Sequence, residues 1–225
     1  MNSPKALEVQ RIADAIYKAV IEQRLKAGTR LVETRLAEVM KANRNHVRAA
    51  IEILSLRKVV TIERNRGAFV ARPGAEEARE IFEARKVIEN ALIVIAARKC
   101  TPDHLKKLEH IIALERQAET DSHRPGLVRQ SGEFHLEIAR IAGNKRLQEM
   151  LETLIAGSSL IAGLYEQTSD FTVSIAQHQE ILDGLKKKDV EQLPKIMDNH
   201  LGTIEEKVLA SYLHKHEPDL AEIFG

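Results

Sequence analysis

The chain has 225 residues, of which 44% are hydrophobic and 30% charged, with a net charge of +1 and a single cysteine. This composition argues against a disordered chain, and one cysteine excludes an internal disulfide and a cysteine-based metal site. Because no apolar run reaches the roughly 18 residues of a membrane helix and the N-terminus lacks the apolar segment of a secretory signal, we expect a cytoplasmic protein without a membrane partner.

The charge is divided unevenly along the chain. Residues 1–73 carry 15 Lys and Arg against 7 Asp and Glu, a net charge of +8, whereas residues 74–225 carry a net charge of −7. Pro73 and Gly74 suit a linker between the two parts. We therefore predict a basic domain of residues 1–73 that meets a polyanion, followed by an acidic domain of residues 74–225. A merely solvated basic surface is the alternative.

The basic part begins with a pattern typical of short amphipathic helices. Apolar residues recur at intervals of three and four positions, as on one face of a helix, over residues 7–22, 33–41 and 43–54. In the second of these helices we expect Leu36, Val39 and Met40 to face the core. Only a few residues separate the second helix from the third, so a helix-turn-helix is indicated.

After Lys58 the hydrophobic period changes. Residues 59–62 and 68–71 are short β-branched or aromatic runs on either side of the segment ERNRG, which predicts a two-stranded hairpin. Three small helices followed by a β-hairpin form a winged helix-turn-helix. Its positive projections are the start of the third helix and the hairpin tip.

The start of the third helix combines side chains suited to reading DNA. A recognition helix enters the major groove by its N-terminal end, where Asn43, Arg44, Asn45 and His46 lie. Arginine can form two parallel bonds with guanine and asparagine two with adenine. Arg48, one turn later, is better placed for a phosphate, and Asn43 also suits the helix cap. A solvated helix end is the alternative interpretation.

These residues resemble the N-terminal signature of the GntR family of bacterial transcription regulators. The matching positions are Leu31, Glu33, Leu36, Ala37, Arg44, Val47, Arg48, Ala50, Ile51, Arg66, Gly67 and Ala68. The chain departs from the family pattern at Asn43, His46, Ala49 and Lys58. The resemblance implies a DNA-binding set of Arg35, Asn43, Arg44, Asn45, His46, Arg48, Arg66 and Gly67.

The acidic part shows only helical patterns. We predict an all-α bundle of six helices, over residues 75–98, 102–119, 124–142, 145–166, 171–187 and 189–213. Asn144 is placed to cap the fourth of these, and the segment EQTSD is a predicted loop. Pro194 predicts a kink or a late start in the last helix. The predicted fold is thus mainly α, a winged helix-turn-helix joined to a helical bundle.

Three histidines in this part match a family pattern. The segments SGEFHLEIARIAGN, AQHQEIL and DNHL resemble the FCD ligand-sensing domain of the FadR branch, and six helices favour its VanR-like subgroup. The resemblance implies that His135, His178 and His200 hold a divalent metal such as zinc or nickel. Ser131 stands where the family usually has Asp, and an uncharged hydroxyl is a poor replacement for a carboxylate. Three polar core histidines without metal are the alternative.

Arg85 and Glu89 lie one helical turn apart and resemble the family's Arg-x-x-x-Glu. One interpretation is an ion pair on the helix surface. The other is that Arg85 lines an effector pocket and binds a carboxylate, whose shape its guanidinium matches.

These features predict a repressor that binds a DNA operator and is released by a small organic acid. The family resemblance, together with the advantage of binding two half-sites, implies that it acts as a homodimer. The alternative is a metal-dependent hydrolase that uses the three histidines around an activated water. That alternative leaves the residues at the third helix and the hairpin unexplained, and no nucleophile motif accompanies the histidines. We therefore predict no enzymatic activity. A further possibility is that the pocket binds its effector without a metal.

Overall fold

The computed structural model describes residues 3–165 and 172–216. Its first part contains three helices and a small sheet, with the bounds α1 Pro4–Ile21, β1 Arg30–Leu31, α2 Glu33–Val39, α3 Arg44–Leu56, β2 Val60–Glu63 and β3 Gly67–Val70. The predicted hairpin is confirmed as β2 and β3. An unpredicted third strand, β1, pairs with β3, and the antiparallel order is β1-β3-β2. A strand of two residues is too short to show a hydrophobic period, so no local pattern indicated β1.

The third helix forms as its sequence predicts. The Asn43 side chain accepts a hydrogen bond from the backbone N–H of Asn45 at 2.8 Å and so caps the first turn. The apolar stripe of α3 is buried, through Val47, Ala50, Ile51 and Leu54. The expected inward face of α2 is wrong in part, because Val39 is 65% exposed. This helix has only seven residues, and it contacts the core through the half-buried Leu36 and Met40.

The core beneath these helices is not built from the first part alone. Ala156 and Leu160, far along the chain, are buried in the same apolar cluster as Ile12, Val47 and Leu54. Tyr17 of α1 also donates a hydrogen bond to the backbone oxygen of residue 152 at 3.0 Å. The winged helix-turn-helix is therefore packed directly against the second part of the molecule.

The second part contains the six predicted helices within the described residues. Their bounds are α4 Ala75–Lys99, α5 Pro102–Thr120, α6 Arg124–Ala142, α7 Lys145–Tyr165, α8 Thr172–Lys187 and α9 Leu193–His216. The side chain of Asn144 accepts from the N–H of Leu147, which confirms the predicted cap. Helix α9 begins at Leu193, so Pro194 marks a late start as expected. The predicted loop EQTSD lies outside the described residues.

All six helices contribute to one apolar core. Its fully buried members include Ile93, Leu108, Phe134, Leu151, Ile181 and Met197. Helix α4 runs through the bundle and packs against α6, α7 and α9. Over the described ranges, none of the helices combines the length and apolarity needed to cross a membrane.

Candidate metal, effector and DNA-binding sites

Three histidines from three helices meet in the interior of the bundle. The Nε2 atoms of His135 on α6, His178 on α8 and His200 on α9 lie 3.2 to 3.4 Å from one another. All three residues are at most 2% exposed. The predicted ligands are thus brought together, and their ligand atoms all lie within 4.8 Å of one another.

The outer ring nitrogens each face an acceptor. Nδ1 of His178 lies 2.9 Å from Glu115, and Nδ1 of His200 lies 3.1 Å from the amide oxygen of Gln177. Nδ1 of His135 is 2.5 Å from Glu89, although the contact is poorly aligned for a hydrogen bond. A proton held on Nδ1 leaves the Nε2 lone pair free. Three such lone pairs at one point fit a divalent cation, because they would otherwise face each other uncompensated.

The surroundings lower the pKa of two of these rings. Burial lowers the pKa of His135, against the opposing effect of Glu89. Burial, together with the neighbouring imidazoles, also holds the pKa of His200 well below its usual value. The neutral imidazole is the form that binds metal, so the burial of the cluster favours a ligand role.

A cavity opens beside the histidines. It opens to solvent and is lined by Arg85, Val128, Ser131, Gly132, His135, Ile155, Ser158, Ser159, Ala162, Ser174, Gln177, Thr203, Ile204 and Lys207. Its lining includes two cationic side chains, four serines and one threonine, and none of the described lining residues is acidic. Such a lining suits an anion that also carries hydroxyl groups. Ser131 shares the cavity wall with His135.

The ion pair of Arg85 and Glu89 is buried, and its interpretation as a surface pair is wrong. The two side chains are 4% and 2% exposed and lie 2.7 Å apart, because this face of α4 turns into the bundle. Arg85 also donates to the hydroxyl of Ser158 at 3.2 Å. Burial alone would raise the pKa of Glu89, but Arg85 and His135 outweigh it and hold that pKa at about 2. Glu89 therefore contacts both Arg85, which lines the cavity, and His135 of the histidine cluster.

The predicted DNA-reading residues cluster on one surface of the first part. Asn43, Arg44, Asn45 and Arg48 are exposed, and His46 is half-buried. Glu33 at the start of α2 bonds both Arg44, at 3.0 Å, and Arg48, at 2.9 Å. These two guanidiniums lower the pKa of Glu33, Arg48 most strongly. Since such exposed pairs contribute little free energy, phosphate groups can replace the carboxylate.

The remaining predicted arginines also have acidic neighbours. Arg35 pairs with Glu38 at 2.8 Å, and Arg66 at the hairpin tip pairs with Glu63. Gly67 has a φ of +102°, a backbone conformation that disfavours other residues at this turn.

Arg30 is a candidate that sequence reasoning missed. It lies on β1, and a Cβ added at Gly67 would be 3.7 Å from its Nε. With Glu33, Thr34 and Arg44 it lines a groove between the hairpin and the start of α3. In the part of the chain that the structure describes, no carboxylate forms an ion pair with this exposed arginine. The pairing of β1 with β3 places it there, and no local pattern around residue 30 indicated that pairing.

A winged helix-turn-helix packed on a helical bundle with an internal cavity defines the class of ligand-sensing DNA-binding regulators. The chain belongs to the GntR family of bacterial regulatory proteins: residues 8–70 match the family described as "Bacterial regulatory proteins, gntR family", and residues 80–203 match the FCD domain. It is accordingly a transcription regulator, and the hydrolase alternative is not supported. The VanR-like subgroup stays a prediction.

Curated relatives extend over most of the chain. It is 26% identical to the HTH-type transcriptional repressor NanR of Cronobacter sakazakii, over 76% of this chain and 74% of that protein. It is 26% identical to the Uxu operon transcriptional regulator of Escherichia coli K12, over 89% and 86% of the two chains. The gluconate operon transcriptional repressor of Bacillus licheniformis is 24% identical, over 88% and 84%.

Solved structures share the fold. A putative GntR transcriptional regulator from Rhodococcus sp. RHA1 superposes with a TM-score of 0.80 at 24% identity, over 91% of this chain and 98% of that chain. E. coli McbR/YncC superposes with a TM-score of 0.82 at 22% identity, over 96% and 100%. These likenesses support the mainly helical, winged helix-turn-helix architecture.

Proposed function

We propose that this regulator is a repressor that binds its operator as a homodimer and is released when an organic acid enters the cavity. The observation that carries the proposal is the spatial separation of two charged sites. Exposed arginines surround the tip of α3, while Arg85 and Lys207 lie in the wall of a cavity in the bundle. Two copies would present two recognition helices to two half-sites. Two relatives are named repressors, which supports the direction of control.

We assign different roles to the cations of the DNA-binding surface. Arg44 and Asn45 at the exposed start of α3 would read base edges. Arg48, Arg66 and Arg30 would bind phosphates, with Arg30 filling the groove between α3 and the hairpin. Glu33 would hold Arg44 and Arg48 in place before DNA arrives.

The base-reading and phosphate-binding roles predict different losses of DNA affinity. Arg44→Ala should weaken operator binding by about 1–3 kcal/mol and relax discrimination between sequences, because a bidentate base contact is lost. Arg48→Ala and Arg30→Ala should each weaken binding to all duplexes and reduce the slope of log affinity against log salt by about one. Gel-shift titrations at several salt concentrations, with an operator and with random DNA, measure both effects.

A matched control is Arg146→Ala, which removes an exposed arginine near the start of α7. Its affinity and salt slope should equal those of the wild type. Unchanged binding in the Arg44, Arg48 and Arg30 variants would contradict the assignment of this surface.

The lining of the cavity favours a hydroxylated carboxylate as effector. Arg85 and Lys207 supply positive charge, and serine hydroxyls at residues 131, 158, 159 and 174 can bond to hydroxyl groups. One relative is named for the gluconate operon, and gluconate is an acid of this kind. That name supports the class of effector and does not identify the compound.

The effector proposal predicts ligand-dependent stabilisation. A hydroxy acid at about 100 times its Kd should stabilise the folded protein by about 2.7 kcal/mol, which corresponds to a rise in Tm of roughly 5 °C or more for a chain of this size. Thermal shift assays should compare each acid with its uncharged alcohol, which should have little effect. Lys207→Gln should reduce the shift, and equal shifts with acid and alcohol would contradict the proposed role of charge.

Helix α7 offers a route between the two sites. Its Ile155, Ser158 and Ser159 line the cavity, while Ala156 and Leu160 complete the core under the winged helix-turn-helix. An effector that prefers one position of α7 therefore also favours one position of the DNA-binding helices. Release from the operator needs only this difference in affinity.

We also propose that His135, His178 and His200 hold a divalent ion, zinc or nickel. When bound, the ion would supply a Lewis-acidic positive charge beside the cavity. The convergence of three Nε2 atoms and the outward partners of Nδ1 on His178 and His200 support the proposal.

A further inference from the structure

The three histidines differ in the groups behind them. His200 is backed by the neutral amide of Gln177, and His135 by Glu89, whose charge is shared with Arg85. His178 is backed by Glu115, which comes from α5 and is 1% exposed. Neither the sequence motifs nor the family resemblance pointed to Glu115.

The contact between Glu115 and His178 is close and specific. Both carboxylate oxygens lie within hydrogen-bonding distance of Nδ1, at 3.0 and 2.9 Å. Phe134 stacks on the face of the same ring, with centroids 4.2 Å apart. The imidazole is therefore held at its edge by Glu115 and on its face by Phe134, with Nε2 directed at the other two histidines.

The charge of Glu115 is not balanced by a basic side chain. Over the described residues, no Lys or Arg pairs with it, and its polar contacts are those with His178. A buried carboxylate without a cation is costly. The three histidine ligands carry no negative charge either, because Ser131 occupies the position where the family usually has Asp.

We propose that Glu115 is a positioning residue of the metal site, which orients His178 through Nδ1 and supplies the negative charge that Ser131 does not. This inference rests on the proposed metal site. A carboxylate bonded to a ligating imidazole fixes its tautomer and increases its basicity, and such outer partners typically change metal affinity 10- to 100-fold. An ion bound to the three Nε2 atoms would in turn balance the buried carboxylate.

The test compares two buried carboxylates. Glu115→Gln keeps an oxygen acceptor for Nδ1, as Gln177 provides for His200, and removes only the charge. Glu137→Gln is the matched control, because Glu137 is 3% exposed but pairs with Lys107 and Arg140 instead of a histidine. The full-length proteins are stripped of metal and titrated with Zn²⁺ against a competing chelator, and their Tm is measured with and without Zn²⁺.

Glu115→Gln should bind Zn²⁺ 10- to 100-fold more weakly than the wild type and show a smaller rise in Tm on adding Zn²⁺. Glu137→Gln should lower the Tm of the metal-free protein and leave Zn²⁺ affinity unchanged. If Glu115→Gln loses stability without metal but binds Zn²⁺ as the wild type does, Glu115 only forms a structural pair with His178 and the inference is overturned. If the wild type itself binds no Zn²⁺, the proposed metal site fails and the role of Glu115 fails with it.

Discussion

Replacing His200 with alanine is expected to weaken Zn²⁺ binding by roughly a hundredfold or more. Zinc sites with four protein ligands bind with about 10–16 kcal/mol, so the loss of one ligand among three removes several kcal/mol. The variant would retain only two of the three proposed ligands, His135 and His178. Zn²⁺ titration against a chelator, with metal analysis of the purified protein, gives the measurement.

His110→Ala is the control for the loss of an imidazole, because His110 is an exposed residue of α5. It should retain the affinity of the wild type. The operator response to effector should be measured on the same proteins before and after metal removal. A normal response after complete removal of metal would mean that the cavity senses its effector without an ion.

Replacing Glu89 with alanine is expected to destabilise the fold by about 3–5 kcal/mol, because it leaves the Arg85 guanidinium buried without its carboxylate. Urea denaturation of the metal-free protein measures this free energy of unfolding. Glu76→Ala on the same helix breaks an exposed pair with Arg79 and should cost less than about 1 kcal/mol. Similar losses in the two variants would contradict the buried-pair argument.

The same carboxylate predicts an acid dependence of stability. The pKa of Glu89 is lowered from 4.5 to about 2, so its contribution is fully present above pH 4.5 and disappears as the pH falls towards 2. Between pH 4.5 and 2, this loss amounts to about 3 kcal/mol of the free energy of unfolding of the wild type. Glu89→Gln should be less stable at neutral pH and should lose this part of the acid dependence.

Local sequence patterns predicted most of the secondary structure correctly. The bounds of α6, Arg124–Ala142, are those that the apolar period indicates, and the caps at Asn43 and Asn144 form as expected. The period and the caps act over one or two turns, so they can be read from neighbouring residues. Strand β1 was missed because two residues show no period and their pairing partner lies almost forty positions away.

The candidate site was also predicted only in part from the sequence. The three histidines were predicted from a family pattern, and the structure brings their Nε2 atoms together. Arg85 was also predicted to line the pocket, but the contacts around the cluster were not predicted: Arg85 bonds Ser158 across 73 positions, and Glu115 bonds His178 across 63. Contacts of this range depend on how the helices pack, and one helix turned differently would expose Arg85 instead of burying it.

The sequence by itself determined the helices, their caps, the uneven distribution of charge and the residue types offered to DNA and to a metal. These follow from the spacing of apolar and polar side chains along the chain. Only the tertiary structure decided that Arg85 and Glu89 are buried, that Glu33 holds two arginines, and that α7 serves both the cavity and the core under the DNA-binding helices. The physical reason is that burial and ion pairing depend on which helix faces meet, and those faces belong to segments far apart in the chain.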